Sequence, residues 1–219
     1  MLIPRLDVLP ASQRRLWAEL DGTPAGFVLY GGTALALRLG HRASEDFDFM
    51  SNQSFRPDDL ERQVPFLARS QRLQSSPNTL VSRVEREGPV KVSFFGGLAL
   101  KRVRNPELVE GPGFLVASLL DLAATKVKVV QDRAEAKDYL DLGRLLEAGI
   151  ALHQALGAAQ AVYGKAFNPL LSLKALAYFQ DGDLPSLPKS LQTRLTGAVE
   201  RVDLGRLSSL EPLPGGVAP

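Results

Sequence analysis

The first half of the chain alternates short apolar runs with turn residues, and the second half carries long segments of helical periodicity. Strands are predicted at 26–30, 46–50, 71–75, 79–86, 89–95 and near 107–110, and helices at 10–21, 34–39 and 56–69. From residue 115 only helices are predicted, at 115–130, 135–148, 152–163 and 188–202. We therefore expect an α+β fold with an α/β core over 1–114, a helical domain over 115–207 and a flexible tail over 208–219.

Composition limits the classes of protein and of site. The 219 residues are 45% hydrophobic and 23% charged, as in an ordinary globular protein. The absence of cysteine excludes disulfides and thiolate metal sites, and two histidines leave little material for a zinc site. A net charge of +2 is weak evidence for a nucleic-acid partner. No run of 18 apolar residues and no secretory signal is present, so we expect a cytoplasmic protein with no membrane contact.

A Gly-Gly-Thr sequence separates the strand 26–30 from the helix 34–39. Thr33 suits the N-cap of that helix, whose free N–H groups attract anions, and Gly31 and Gly32 allow a phosphate to approach the backbone. The sequence matches neither a P-loop nor a dinucleotide fingerprint. By itself it favours a structural turn over a phosphate site.

Two carboxylates follow on the strand 46–50, which reads Asp-Phe-Asp-Phe-Met. Because side chains alternate along a strand, Asp46 and Asp48 share one face, and Phe47 and Phe49 share the other. Paired carboxylates suit a hard cation, Mg²⁺ or Mn²⁺, although two solvated aspartates would give the same pattern. The closeness of the two motifs in sequence favours one cleft with phosphates and a metal, as nucleotidyl transfer requires.

The residues from Gly31-Gly32-Thr33-Ala-Leu35 to His41-Arg42-Ala-Ser44-Glu-Asp46-Phe-Asp48-Phe resemble the opening of the AbiEii/AbiGii-type nucleotidyltransferases, which belong to the polymerase-β-like superfamily. The second block of that family is similar to Lys126, Arg133, Lys137-Asp138 and Asp141 here. The resemblance covers about residues 25 to 150. It implies a polymerase-β-like nucleotidyltransferase core, a small mixed sheet with helices, followed by a C-terminal helical bundle.

The second block can also be interpreted geometrically. On one continuous helix Lys126, Arg133 and Lys137 would form a basic stripe with Asp141 at its edge, and such a stripe could bind the phosphates of a nucleotide. A break near residues 131–132 would remove this arrangement. Lys137 and Asp141 could alternatively be an i, i+4 pair on a surface helix.

The resemblance implies a Mg²⁺- or Mn²⁺-dependent transfer of a nucleoside monophosphate from a nucleoside triphosphate to an acceptor hydroxyl. The acceptor would be RNA, in particular tRNA, and the protein would be the toxin of a bacterial toxin–antitoxin system with a cognate antitoxin. Asp46 and Asp48 would hold the metal, and Lys126 and Asp141 would complete the catalytic set. Phosphate binding would involve Gly31, Gly32, Thr33, Arg42, Ser44, Arg133 and Lys137.

One position departs from the superfamily pattern. Members commonly carry a third carboxylate on a later strand beside the first two, and the matching position here is Ser93. Two alternatives therefore remain. One is a nucleotidyltransferase that modifies a small molecule of the antibiotic type. The other is a degenerate protein that binds nucleotide or a partner without turnover.

Overall fold

The computed structural model describes residues 1–219, which divide into two compact units, Met1–Ser118 with Leu213–Pro219, and Leu119–Pro212. The helices of the first unit are α1 (Ala11–Leu16), α2 (Gly31–Leu39) and α3 (Pro57–Gln63). Its strands are β1 (Val28–Tyr30), β2 (Asp46–Met50), β3 (Gln71–Ser76), β4 (Thr79–Glu85), β5 (Pro89–Phe95), β6 (Glu107–Leu108) and β7 (Leu115–Val116). The helices of the second unit are α4 (Leu119–Val129), α5 (Ala136–Glu147), α6 (Leu152–Tyr163), α7 (Pro169–Leu176) and α8 (Lys189–Glu200).

The strands of the first unit form one seven-stranded mixed sheet in the order β3-β4-β5-β2-β1-β7-β6. Strand β2 pairs antiparallel with β1 and parallel with β5, and β1 pairs parallel with β7. Strand β2 is therefore central, and its residues face partners on both sides. The mixed sheet with helices confirms the predicted α+β class.

The alternation predicted for β2 is present and determines where the core of the first unit lies. Phe47 and Phe49 are fully buried, whereas Asp46 and Asp48 are half-buried. The Phe49 ring stacks on Phe94 of β5 with centroids 5.3 Å apart. Because the rings anchor one face of β2 in the core, the carboxylates must occupy the opposite face.

Helix α2 begins earlier than the sequence predicted. The helix starts at Gly31 with Tyr30 as its N-cap, and no side chain caps it, so the expectation of Thr33 as N-cap is wrong. Gly31 has φ +75°, a conformation that glycine adopts without steric cost. The helix ends at Gly40, whose left-handed backbone is typical of a helix C-terminus.

The C-terminal residues pack where a flexible tail was expected. Arg102 Nη1 donates to the carbonyl oxygens of Pro214, Gly216 and Ala218 at 2.6, 2.9 and 2.8 Å. Val217 is buried as well, and residues 213–219 belong to the first unit. The proline and glycine content of this segment predicted a flexible tail. That prediction is wrong because composition cannot reveal that Arg102, distant in sequence, binds the carbonyl oxygens of the tail.

The helical unit differs from the sequence prediction at its start and in its middle. The helix predicted over 115–130 begins only at Leu119, because residues 115–116 form β7 in the sheet. A turn over residues 130–135 separates α4 from α5, so the two do not form one continuous helix. Helix α7 was not predicted; Pro169 at its first turn and the Asn168 cap define its start. No helix in the structure has both the length and the apolar character needed to cross a bilayer.

Candidate active site

The N-terminus of α2 lies against side chains from the following loop and from β2. A Cβ built on Gly32 would lie 2.6 Å from Arg42 Nη2 and 3.0 Å from Ser44 Oγ. A Cβ built on Gly31 would lie 2.9 Å from Asp48 Oδ2. No larger residue fits at either position without displacement. The structure therefore brings together five of the residues selected from the sequence.

Thr33 connects these parts instead of capping the helix. Its side chain is buried, and Oγ1 donates to the Asp46 carbonyl oxygen and lies 2.9 Å from Ser44 Oγ, within hydrogen-bonding distance. The hydroxyl thus ties the loop and the start of β2 to the first turn of α2. Thr33 contributes to the shape of the site through these contacts within the protein.

Asp46 and Asp48 lie on one face of β2, as predicted. Asp46 Oδ2 pairs with Lys91 Nζ of β5 at 2.7 Å, and both side chains are about 40% exposed, 41% and 43%. The parallel register places Lys91 directly opposite Asp46. A basic side chain at this carboxylate was not singled out in the sequence.

The same register tests the position of the third acid. Ser93 lies directly opposite Asp48 and is buried, so the residue beside the pair on the neighbouring strand is a serine and not a carboxylate. No group of three or more His, Cys, Asp or Glu residues suited to a metal exists in the structure. Two carboxylates on one face nevertheless fit Mg²⁺, which proteins often bind through one or two carboxylates, with substrate phosphates and water as further ligands.

The second motif block forms a buried ion-pair network within the helical unit, consisting of Lys126, Arg133, Asp138 and Asp141. Lys126 Nζ lies 2.7 Å from Asp138 Oδ1 and 2.6 Å from Asp141 Oδ2. Both aspartates are fully buried, and the lysine is 5% exposed. Arg133 Nε donates to Asp138 Oδ2 at 2.8 Å, and its Nη2 donates to Oδ1 of the same carboxylate at 3.2 Å.

The charges in this network keep Asp138 ionised. Burial by itself raises the pKa of this carboxyl, but the hydrogen bonds from Arg133 and the nearby charge of Lys126 outweigh burial and bring its pKa below the usual value. Two cations and two anions balance in formal charge. A buried lysine without such partners would be costly, so the aspartates account for the position of Lys126.

The predicted basic stripe is wrong. It assumed one helix, whereas the turn at 130–135 folds α5 back so that Asp138 and Asp141 reach Lys126. Lys137 does not join the buried network directly; it is 52% exposed, and its Nζ pairs at 2.7 Å with Glu135, a carboxylate that also lies 3.5 Å from Arg133 Nη1. Lys137 is not paired with Asp141 either, so neither geometric interpretation of these two residues holds.

With this geometry in place, the comparison with known families is decisive. The family described as nucleotidyl transferase AbiEii toxin, of type IV toxin–antitoxin systems, matches residues 15–206. The chain belongs to the AbiEii nucleotidyltransferase toxin family. Membership makes it a nucleotidyltransferase and confirms the family that its two motif blocks resembled.

One sequence relative and two solved structures are similar to the chain over most of its length. The uncharacterised protein aq_aa25 of Aquifex aeolicus VF5 is 32% identical over 158 residues, which cover 71% of this chain and 74% of the relative. MenT4, a nucleotidyltransferase toxin from Mycobacterium tuberculosis H37Rv, superposes with a TM-score of 0.60 at 19% identity, over 88% of this chain and 83% of its own. A crystal structure of a candidate nucleotidyltransferase from H. pylori gives 0.58 at 17% identity, over 86% and 92%. These structures share the nucleotidyltransferase fold with this AbiEii-family chain.

Two residues in these clusters were not chosen from the sequence. Asp138 belongs to the recognised block and could stand in for the missing third acid, but it was not among the predicted site residues; on one continuous helix it would lie about 120° from Lys126. Lys91 carried no motif of its own. Its signal was the strand pattern, because Lys91 and Ser93 alternate with buried valines and so share the face next to Asp46 and Asp48.

Proposed function

We propose that this AbiEii-family protein transfers a nucleoside monophosphate from a nucleoside triphosphate to a hydroxyl of an RNA, tRNA in particular. In this reaction the acceptor oxygen attacks the α-phosphorus, a new P–O bond forms, and the bond to the β-phosphate oxygen breaks. Pyrophosphate leaves with the electron pair, and the proton of the acceptor hydroxyl passes to solvent water.

The arrangement at the start of α2 supports this proposal most directly. Backbone N–H groups at a helix N-terminus bind anions, and here a guanidinium and a hydroxyl, from Arg42 and Ser44, lie against Gly32. Asp48 lies against Gly31 in the same place. An anion-binding helix end next to a carboxylate on a core-anchored strand suits a triphosphate bound together with a cation.

Asp46 and Asp48 are the residues that would hold the divalent cation, Mg²⁺ or Mn²⁺. When bound, such an ion screens the phosphate charge and stabilises the negative charge that develops on the phosphate oxygens. The protein contributes by fixing β2: the Phe rings hold one face in the core and Thr33 binds the Asp46 carbonyl. The carboxylates therefore need little reorganisation when the substrate arrives.

We assign Lys126 and Asp141 to the reaction, with Arg133 as a phosphate contact. An ammonium has three N–H donors, and the contacts with Asp138 and Asp141 use two of them. The third can bind a phosphate oxygen, while the aspartates hold the lysine in one orientation. Arg133 is 44% exposed, and its Nη1 lies 3.5 Å from Glu135 Oε1, a contact that a phosphate would have to replace or share. A phosphate role for Lys137 stays a prediction.

The family is defined by type IV toxin–antitoxin systems, and we extend that role to this chain. The protein would then act as a toxin that blocks translation by modifying tRNA, with a cognate antitoxin that suppresses its effect. MenT4 is itself described as a nucleotidyltransferase toxin.

One labelling experiment tests the reaction. Purified protein is incubated with Mg²⁺, total tRNA and each α-³²P-labelled triphosphate in turn, and the RNA is separated on a denaturing gel. We expect label on tRNA with at least one triphosphate. Asp48→Asn should abolish transfer, whereas Asp21→Asn, an exposed aspartate of the same unit, should not change it.

The other outcomes contradict parts of the proposal. Absence of labelled tRNA with every triphosphate, combined with pyrophosphate release in the presence of a small acceptor, would replace RNA with a small-molecule substrate. Equal transfer by Asp48→Asn and wild-type protein would remove the carboxylate pair from the mechanism.

A further inference from the structure

A basic residue faces Asp46 across the sheet. Lys91 of β5 lies opposite Asp46 in the parallel register, and its ammonium is 2.7 Å from Oδ2. The contact joins two neighbouring strands whose other faces are anchored in the core. The sheet therefore fixes the backbone positions of Lys91 and Asp46, and neither residue lies on a loop.

The next position on that face lacks the acid that a second metal ion would require. Ser93 lies opposite Asp48 and is buried, and no third carboxylate or histidine joins Asp46 and Asp48 in a group suited to metal binding. A hydroxyl carries no charge and is a weak ligand for a divalent ion. The face thus lost one negative charge at Ser93 and carries one positive charge at Lys91, relative to a three-acid site.

We infer that Lys91 supplies a fixed positive charge beside Asp46 in place of a second metal ion, so that this chain binds a single divalent cation. The inference rests on the proposed function, because it assigns a role at the same carboxylate pair. Three carboxylates carry a charge of −3 and suit two divalent ions of total charge +4. Counting the side chains of β2 and β5 alone, two carboxylates and one ammonium sum to −1, which suits one divalent ion of charge +2. On this count both arrangements keep a net charge of +1 for the phosphates.

An ordinary surface ion pair would be the simpler explanation, since many exposed pairs contribute almost nothing to stability. The two explanations differ in what they predict for metal binding. A merely structural pair leaves the number of bound cations unchanged when it is removed. A lysine that substitutes for a cation competes with the metal ion for Asp46. Its removal must therefore increase the affinity for the first metal ion and favour the binding of a second one.

The experiment counts Mn²⁺ ions bound to the full chain, by electron paramagnetic resonance and by calorimetry, with a non-hydrolysable triphosphate present. We expect one Mn²⁺ per chain for the wild type. Lys91→Met should bind Mn²⁺ about fivefold more tightly, since one unit charge a few ångströms away in a half-exposed site is lost. The double variant Lys91→Met/Ser93→Asp should bind two Mn²⁺ ions.

Matched variants separate the role of the charge from other effects of substitution. Lys91→Arg keeps the positive charge and should retain the wild-type affinity and stoichiometry. Lys101→Met removes an exposed lysine from the same unit and should also leave both unchanged. Because Ser93 is buried, an aspartate there could prevent folding, so the double variant is first examined by circular dichroism. If the double variant does not fold, the Mn²⁺ affinity of Lys91→Met alone decides whether Lys91 competes with the metal.

Two results would overturn the inference while the proposed function stands: two Mn²⁺ ions per wild-type chain, or the same Mn²⁺ affinity for Lys91→Met and wild type. Failure of the proposed function looks different. In that case wild-type protein would bind no Mn²⁺ with the triphosphate, and Asp48→Asn would behave as wild type in both binding and nucleotide transfer.

Discussion

Replacing Asp138 by asparagine perturbs the buried ion-pair network while keeping its shape. The amide has nearly the same volume but no charge, so Lys126 keeps only Asp141, at 2.6 Å, and Arg133 loses its two hydrogen bonds to a carboxylate. Removing one partner from a buried pair costs about 3–5 kcal/mol. Because Asp141 still pairs with the lysine and Arg133 is 44% exposed, we expect the lower end, about 3 kcal/mol.

The assay is thermal and urea unfolding followed by far-UV circular dichroism. For a protein of this size about 3 kcal/mol corresponds to a decrease in Tm of about 6–12 °C. Asp132→Asn is the matched control, because Asp132 also pairs with a lysine of α4, Lys128, at 2.7 Å, but is 64% exposed. That variant should lose less than about 0.5 kcal/mol.

The pH dependence provides a second readout for Asp138. The pKa of this carboxyl is lowered in the folded state, so its contribution to stability is present above the unfolded value of 3.8 and is lost as the pH falls through the folded value. The stability difference between wild type and Asp138→Asn should therefore shrink on acidification below pH 3.8. If Asp138→Asn and Asp132→Asn destabilised the protein equally at neutral pH, the reasoning from burial and pairing would be refuted.

Two further predictions concern the backbone at the site and the tyrosines. Gly31→Ala should destabilise the protein by about 1–2 kcal/mol because of its positive φ, and should abolish nucleotide transfer because the new Cβ would lie 2.9 Å from Asp48 Oδ2. Gly149→Ala is the control, because Gly149 has φ +90° and no atom lies within 4 Å of the new Cβ. This variant should lose stability but keep its transfer activity. Equal losses of activity in the two variants would contradict the steric argument. Burial raises the pKa of Tyr139 and Tyr163 to about 12, so spectrophotometric titration should show late ionisation of each, which its own Tyr→Phe substitution removes. Since the folded state keeps these protons longer than the unfolded state, stability should fall as the pH rises above 10, the ordinary tyrosine value.

Local periodicity determined the parts of the site that lie within one element. Alternation along β2 placed Asp46 and Asp48 on one face because a strand repeats every two residues. The two motif blocks, in order, identified the family, and the strand pattern around Ser93 located the position of the absent acid. These features depend on neighbours in the chain, so they can be predicted without a structure.

Tertiary structure decided everything that depends on which segments meet. The pairing of Lys91 with Asp46 follows from the register of two parallel strands more than 40 residues apart, and no local pattern encodes that register. The turn between α4 and α5 changed an expected basic stripe into a buried network around Lys126, because a few residues of broken helix redirect every side chain beyond them. Likewise Arg102 holds a tail that composition alone describes as loose. The sequence by itself determined which chemical groups are available and on which face of each element they lie, and long-range packing decided which of their charges are neutralised.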